Sequence, residues 1–224
     1  FNKEDGSIMS AVKEYESYND PGYEIEEKIT NLTGITNEMV KGHSINWDIV
    51  KDLLRFSQLV VAHNAPFDRK FLEKYTESNN VWACSKEDVD WSNRGFMKNN
   101  LESLCVWHGF YYGAHRAMND VNAMIHLLSH TSYNSDNAPI LELIGNAKKT
   151  HFKIINVFPY NEQYIKLLKK RGGYRFNSEN KSWNITLNDQ SIVDEEVMWL
   201  AENIYQGHFR GVTEIITIKD KYKS

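Results

Sequence analysis

The sequence predicts an α/β domain over residues 1–136 and a small α+β domain over residues 137–224. Three observations carry this. Short apolar runs alternate with helix-period patterns over the first 130 residues, as in strands covered by helices. The stretch from Thr131 to Pro139 is polar and rich in turn formers, which marks a linker. Beyond it the order becomes strand, helix, hairpin, helix, strand, the β-α-β-β-α-β split motif of ferredoxin-like domains.

The elements follow in order. Phe1 to Ser10 reads as a hairpin about Glu4-Asp5-Gly6, with most of its first strand missing. Ser44 to Phe56 has Ile45, Ile49, Val50, Leu53 and Leu54 on one helical face. Leu59 to Ala62 is a continuous apolar run, expected to be a strand buried on both faces. Pro66 opens a helix striped by Phe67, Phe71, Leu72 and Tyr75, since a proline costs nothing in a first turn. Val81 to Cys84 is a second buried strand. Asn99 to Trp107 is a helix, with Asn99 and Glu102 spaced as a capping box and Gly109 as its stop. Val121, Met124, Ile125 and Leu128 mark a helix ending near His130, and Ile140 to Lys149 one more. In the second domain, Phe152 to Phe158 is a strand and Asn161 to Arg171 a helix stopped by Gly172-Gly173. Tyr174 to Phe176 and Trp183 to Leu187 form a hairpin, Asp194 to Tyr205 a helix, and Val212 to Ile218 the last strand.

Composition narrows the function. Apolar residues make up 41% of the chain, enough for a core, and only four prolines are present. The net charge of −4 excludes a polycation that coats nucleic acid, though not a local basic groove. Cys84 and Cys105 have neither zinc nor disulfide-framework spacing and read as buried thiols. No apolar run approaches the ~18 residues that would cross a bilayer. No membrane role is expected, and the cytoplasm is the expected compartment.

Two segments concentrate chemistry. In Ala62-His63-Asn64-Ala65-Pro66-Phe67-Asp68 a strand ends and a helix begins, where α/β sheets place their ligands. Asp68 falls in the first helical turn, where the dipole favours an ionised carboxylate, a donor suited to hard cations. Alone, it reads more readily as a residue that merely caps the helix. In His115-Arg116-Ala117-Met118-Asn119-Asp120 a second carboxylate opens a helix behind a loop histidine. A carboxylate can hold a metal while an imidazole takes a proton from water. Alone, this pair reads as a surface histidine and a helix-start aspartate.

Together the segments resemble the second and third motifs of the DEDD exonucleases, in the His-containing, DnaQ-like subclass typified by the proofreading subunit of bacterial DNA polymerase III. Asn31 to Val40, Arg94-Gly95-Phe96 and Leu101 to Cys105 resemble further stretches of that family, and the likeness covers roughly residues 1 to 130. It implies a ribonuclease H-like fold, a mixed sheet flanked by helices. It also implies 3′–5′ phosphodiester hydrolysis with two divalent cations, Mg²⁺ or Mn²⁺. Carried over residue by residue, Asp68 and Asp120 are metal ligands and His115 is the general base. His63, Asn64 and Phe67 line or brace the site. Independently of the resemblance, Arg116 beside His115 is placed to meet a phosphate, and equally reads as a surface charge. The substrate implied is a single-stranded or frayed DNA 3′ end in repair or proofreading, with a DNA polymerase as a candidate partner. RNA trimming is the alternative within nucleases.

The family's first motif, an Asp-x-Glu on the first strand, does not precede Thr33-Gly34-Ile35-Thr36. Asp88-Val89-Asp90 and Asp194-Glu195-Glu196 come too late in the chain. The expectation is that this chain lacks its natural first strand and is itself inactive. A true absence of the motif favours a catalytically inactive protein that binds nucleic-acid ends or a polymerase. His126 and His130, four apart, lack a third ligand and read as a solvated helix face. In the C-terminal domain Lys170, Arg171, Tyr174, Arg175 and Trp183 interleave cations with aromatics. They suit a nucleic-acid strand, and equally a solvated helix beside a hairpin core. Residues 138 to 224 resemble an extension found in a subgroup of the same exonucleases.

Overall fold

The computed structural model describes residues 1–131 and 134–223; Ser132 and Tyr133 of the expected linker, and Ser224, lie outside the described residues. The chain divides into two compact units, residues 1–147 with 222–223, and residues 148–221. The division falls after the helix Pro139–Ala147, so the boundary expected at 136/137 moves to 147/148. The reason is burial. Ile140, Leu143 and Ala147 belong to the first unit's core, and Glu142 bonds the Arg94 guanidinium at 2.8 Å and the Asp90 amide at 2.7 Å.

Elements of the first unit are α1 (Glu27–Thr33), α2 (Asn37–Val40), α3 (Trp47–Phe56), β1 (Leu59–Ala62), α4 (Ala65–Leu72), β2 (Val81–Cys84), α5 (Leu101–Trp107), α6 (Ala117–Ser129) and α7 (Pro139–Ala147). Strands β1 and β2 pair in parallel, Leu59 opposite Val81 through Ala62 opposite Cys84, with α4 as the crossover. This pair is the sheet of the unit among the described residues. Strand β1 is half-buried rather than buried on both faces, whereas β2 buries Trp82, Ala83 and Cys84. The core joins Ala83 to Leu104, Met124, Leu127, Leu128 and Leu143, which seats α5, α6 and α7 against the sheet. A second cluster holds Ala65, Trp82 and Cys84 with Tyr222. Both thiols are free and buried.

Local chemistry moves several boundaries. The α3 helix starts at Trp47, not Ser44, because Asn46 accepts from the Asp48 and Ile49 amides. The α5 cap is Asn100, without a side-chain bond; Asn99 instead donates to the Lys86 carbonyl, so the capping box is not formed. The expected N-terminal hairpin reduces to a turn, closed by Gly6 N–H to Asn2 O and Asn2 N–H to Ser7 O. The short helices α1 and α2 carry too few turns for periodicity to reveal.

The second unit contains β3 (His151–Asn156), α8 (Glu162–Arg171), β4 (Arg175–Asn177), β5 (Ser182–Leu187), α9 (Gln190–Asn203) and β6 (Val212–Ile216). Its four strands are antiparallel in the order β4-β5-β3-β6. Ile154, Ile185, Leu168, Val193 and Leu200 form the core between sheet and helices. Asn161 and Asp189 cap α8 and α9 with their side chains. Buried Asn156 donates to the Trp183 carbonyl and accepts from the Tyr205 hydroxyl, so its polarity is satisfied.

Candidate active site

The site is built where two helices begin. After β1 the chain turns through His63 and Asn64, and Asn64 takes the left-handed conformation (φ 77°) that asparagine tolerates. The turn drives Ala65, fully buried, against Cys84, and Pro66 starts α4. Asp68 and Phe67 follow in the first turn, both exposed. They line a crevice of about 760 Å³ with Trp47, Phe71, Met118 and Tyr15. Trp47 stacks on Tyr75 at 4.5 Å, which stiffens one wall. Although Asp68 is exposed at the surface, the protein packed around it partly desolvates its carboxyl and raises it above the ordinary value, with no neighbouring charge contributing.

The second helix start holds its carboxylate differently. His115 adopts φ 66° and Arg116 is the extended N-cap of α6. Asp120 Oδ1 accepts from the Tyr112 hydroxyl at 2.9 Å and from the His115 amide at 3.4 Å. Asn119 ties the same loop by donating to the Gly113 carbonyl. Burial, then the bond to Asp120, pushes the Tyr112 phenol up. Burial also pushes the Cys105 thiol up to about 12, with Asp120 adding to it. The His63 ring bonds Ser85 Oγ through Nδ1 at 2.8 Å, and its buried Nε2 forms no hydrogen bond of good geometry among the described residues. Burial lowers the His63 pKa to about 4; Lys86 adds to this, while the Asn99 main chain and the Asp120 carboxylate oppose it.

The expected residues therefore fall into two neighbourhoods. Asp68 and Phe67 share the crevice with the first turns of α6, Ala117 and Met118. Asp120 lies with Tyr112, the His115 main chain, Cys105 and the field of His63. His115 is exposed. Arg116 donates to the Tyr18 hydroxyl at 2.9 Å and to the Thr33 carbonyl, which ties it to the fold. His63 is likewise turned inward, toward Ser85. Tyr112 and Ser85 escaped sequence reading, because a single tyrosine or serine in a loop leaves no periodic or motif signal.

Carboxylates are the donors Mg²⁺ and Mn²⁺ prefer. Among the described residues, however, no group of three or more His, Cys, Asp or Glu side chains gathers as a ligand set. Asp68 and Asp120 thus fit the cations in kind and not in number. What these residues offer by themselves is two carboxylates at helix N-termini and one accessible imidazole. The His126 and His130 rings lie 3.9 Å apart on an exposed face, tilted by 38°, and His130 Nδ1 is 2.8 Å from the His126 carbonyl oxygen.

In the second unit, Arg171 and Tyr174 both bond the buried Glu196, at 2.9 and 2.6 Å, and Trp183 packs on the core. All three are engaged within the unit, and Glu196, part of the late Asp-Glu-Glu run, anchors Arg171 and Tyr174. Lys170 and Arg175 remain exposed.

Residues 3–128 match the family described as exonuclease, more than half of the chain. The chain belongs to this family, in its DnaQ-like branch, whose domain has a ribonuclease H-like α/β fold. It is 34% identical over 109 residues to the DNA polymerase III subunit epsilon of Aquifex aeolicus, which covers 45% of this chain and 54% of that protein. It is 38% identical over 81 residues to the PolC-type DNA polymerase III of Listeria innocua, covering 35% of this chain and 6% of that one. The PolC-type enzyme of Streptococcus mutans gives 31% over the same length. The chain thus spans about half of the epsilon relative and a small part of the PolC relatives. No solved structure gives a significant match. No helix among the described residues is long and apolar enough to cross a membrane.

Proposed function

We propose that this chain carries a 3′–5′ exonuclease that hydrolyses the terminal phosphodiester of single-stranded or frayed DNA in proofreading or repair. The observation that carries this is the pair of helix-start carboxylates, Asp68 behind His63 to Phe67 and Asp120 behind His115, inside the stretch that matches the exonuclease family. The proposal includes Mg²⁺ or Mn²⁺ as cofactors, with Asp68 and Asp120 as two of their ligands. His115 accepts the proton of the attacking water, and its accessible ring is free to approach a substrate. Asn64 and Phe67 meet the substrate at the crevice, the exposed ring offering a face for the terminal base. The relatives carry the names of DNA polymerase III components, which favours DNA over RNA and makes a polymerase the proposed partner. The cytoplasm is the proposed compartment. Residues 1–147 are the proposed exonuclease domain, and 148–221 a ferredoxin-like domain.

The test is digestion of a 5′-labelled single-stranded DNA, and of RNA of the same sequence, by the natural-length protein with Mn²⁺, with chelator, and with His115→Ala. A ladder that shortens from the 3′ end of the DNA is expected. It should disappear in chelator and fall at least ~100-fold in the variant. Intact DNA throughout would replace the proposal with a binding protein that kept the exonuclease fold. Equal or faster digestion of RNA would move the substrate to RNA.

A further inference from the structure

Charge is unevenly divided along this acidic chain. Residues 148–221 hold 12 Lys and Arg against nine Asp and Glu, while the remainder holds 14 against 21. Within the second unit the structure sorts these cations. Arg171 is bonded to Glu196, and Lys166 to Glu162 at 2.7 Å. Lys169, Lys170, Arg175 and Lys181 are exposed and form no ion pair among the described residues. They lie on consecutive parts of the unit, from the end of α8 to the start of β5. Lys169 and Lys170 are in the last turn of α8, Arg175 opens β4, and Lys181 sits at the β4–β5 turn with φ 54°. Strand β4 is an edge of the four-stranded sheet, so one side of its main chain is unpaired. Phe176, in the middle of that edge, is 53% exposed, its ring 5.4 Å from Trp183.

Lysines in a last helical turn also answer the helix dipole, which accounts for Lys169 and Lys170 and not for Arg175, Lys181 or the exposed ring. Exposed cations without ion pairs among the described residues, near an accessible aromatic ring, have the chemistry that holds a sugar-phosphate strand: charge for the phosphates and a ring for one base. We propose that the border formed by the end of α8 and the β4 edge is a sequence-independent contact surface for single-stranded nucleic acid. Lys169, Lys170, Arg175 and Lys181 meet phosphates, and Phe176 stacks on a base. Arg171, Tyr174 and Trp183 support this surface from behind without touching the ligand.

The test is fluorescence anisotropy of a labelled 20-nucleotide oligo-dT with the whole chain in EDTA, where no cleavage intervenes. The proteins compared are the unsubstituted chain, the combined Lys169→Glu, Lys170→Glu, Arg175→Glu and Lys181→Glu variant, and Phe176→Ala. Circular dichroism melting verifies that each is folded. The charge-reversed protein should bind at least tenfold more weakly at low salt. The slope of its log affinity against log salt should shrink by about the number of phosphate contacts removed. Phe176→Ala should bind several-fold to tenfold more weakly at high salt, where stacking remains and charge is screened. Equal affinity of the unsubstituted and charge-reversed proteins overturns the proposal. A loss on charge reversal with no loss in Phe176→Ala overturns the stacking role and leaves a generic polyanion surface. Hydrolysis of a thymidine 5′-nitrophenyl phosphate by the unsubstituted protein reads the exonuclease proposal separately, so failure there does not bear on this surface.

Discussion

His63 offers a quantitative test of how the first unit is packed. Its ring is held in the interior, with Nδ1 on Ser85 Oγ and Nε2 without a hydrogen bond among the described residues, and burial lowers its pKa from 6.5 to about 4. A histidine kept neutral in the fold supports the folded state above its unfolded pKa. That support is lost as pH falls from about 6.5 toward 4, because the unfolded chain takes up the proton first. From these two values, the loss at pH 5 relative to pH 7.5 is about 2 kcal/mol, and it approaches ~3 kcal/mol near pH 4. The perturbation is His63→Gln, which keeps a polar side chain near Ser85 and removes the titration. The assay is urea unfolding followed by tryptophan fluorescence at pH 7.5, 6.5, 5.5 and 5.0 in EDTA. The variant starts lower at pH 7.5, but its stability should fall less on acidification, by about 2 kcal/mol at pH 5. Parallel pH profiles for the two proteins would refute the reasoning, as would an NMR titration placing the His63 ring near 6.5.

Three further outcomes follow from single contacts. Tyr112→Phe removes the hydroxyl that holds Asp120 Oδ1, a bond to a charged acceptor worth about 1.5–3 kcal/mol at most. Exonuclease turnover of the natural-length protein should fall several-fold with KM nearly unchanged, read by steady-state digestion of labelled DNA. Glu196→Ala strips Arg171 and Tyr174 of their common anchor. Because Arg171 is 42% exposed and can rehydrate, the loss should be about 1–2 kcal/mol, below that of a fully buried pair, measured by urea unfolding. Gly6→Ala places a Cβ 2.6 Å from Ile140 Cγ2 and 2.7 Å from Ala138 Cβ, at φ 76°. It should destabilise the first unit by about 1–3 kcal/mol, seen as a lower urea midpoint with an unchanged slope.

What the sequence by itself determined rests on local signals. Leu59–Ala62 and Val81–Cys84 were legible as strands because each is a short apolar run between turn formers, and both occur over those residues. The helix starts at Pro66 and before Asp120 were legible because first-turn chemistry is local. The element order of the second unit could be read for the same reason, from Asn161 before α8 and Gly172-Gly173 after it. The motif pair that carries Asp68, His115 and Asp120 was also visible in sequence, as was the family they resemble.

Tertiary structure decided what depends on partners far away in the chain. Helix α7 joined the first unit because Leu143 fills its core and Glu142 bonds Arg94, 48 residues earlier. No composition shift at a linker encodes that. The roles of Arg116, Arg171, Tyr174 and Trp183 changed for the same reason. Each looked like a free cation or ring, and each is engaged within the fold, by Tyr18, by Glu196 or by packing on the core. Tyr112 acquired a role because the loop before α6 folds back onto Asp120, eight residues on. A hydrogen bond is directional and short-ranged, so which polar side chain is spoken for is fixed only when the chain has closed. Periodicity and motif spacing report which face is buried and where a helix begins; the pairing of charges is a property of the folded molecule.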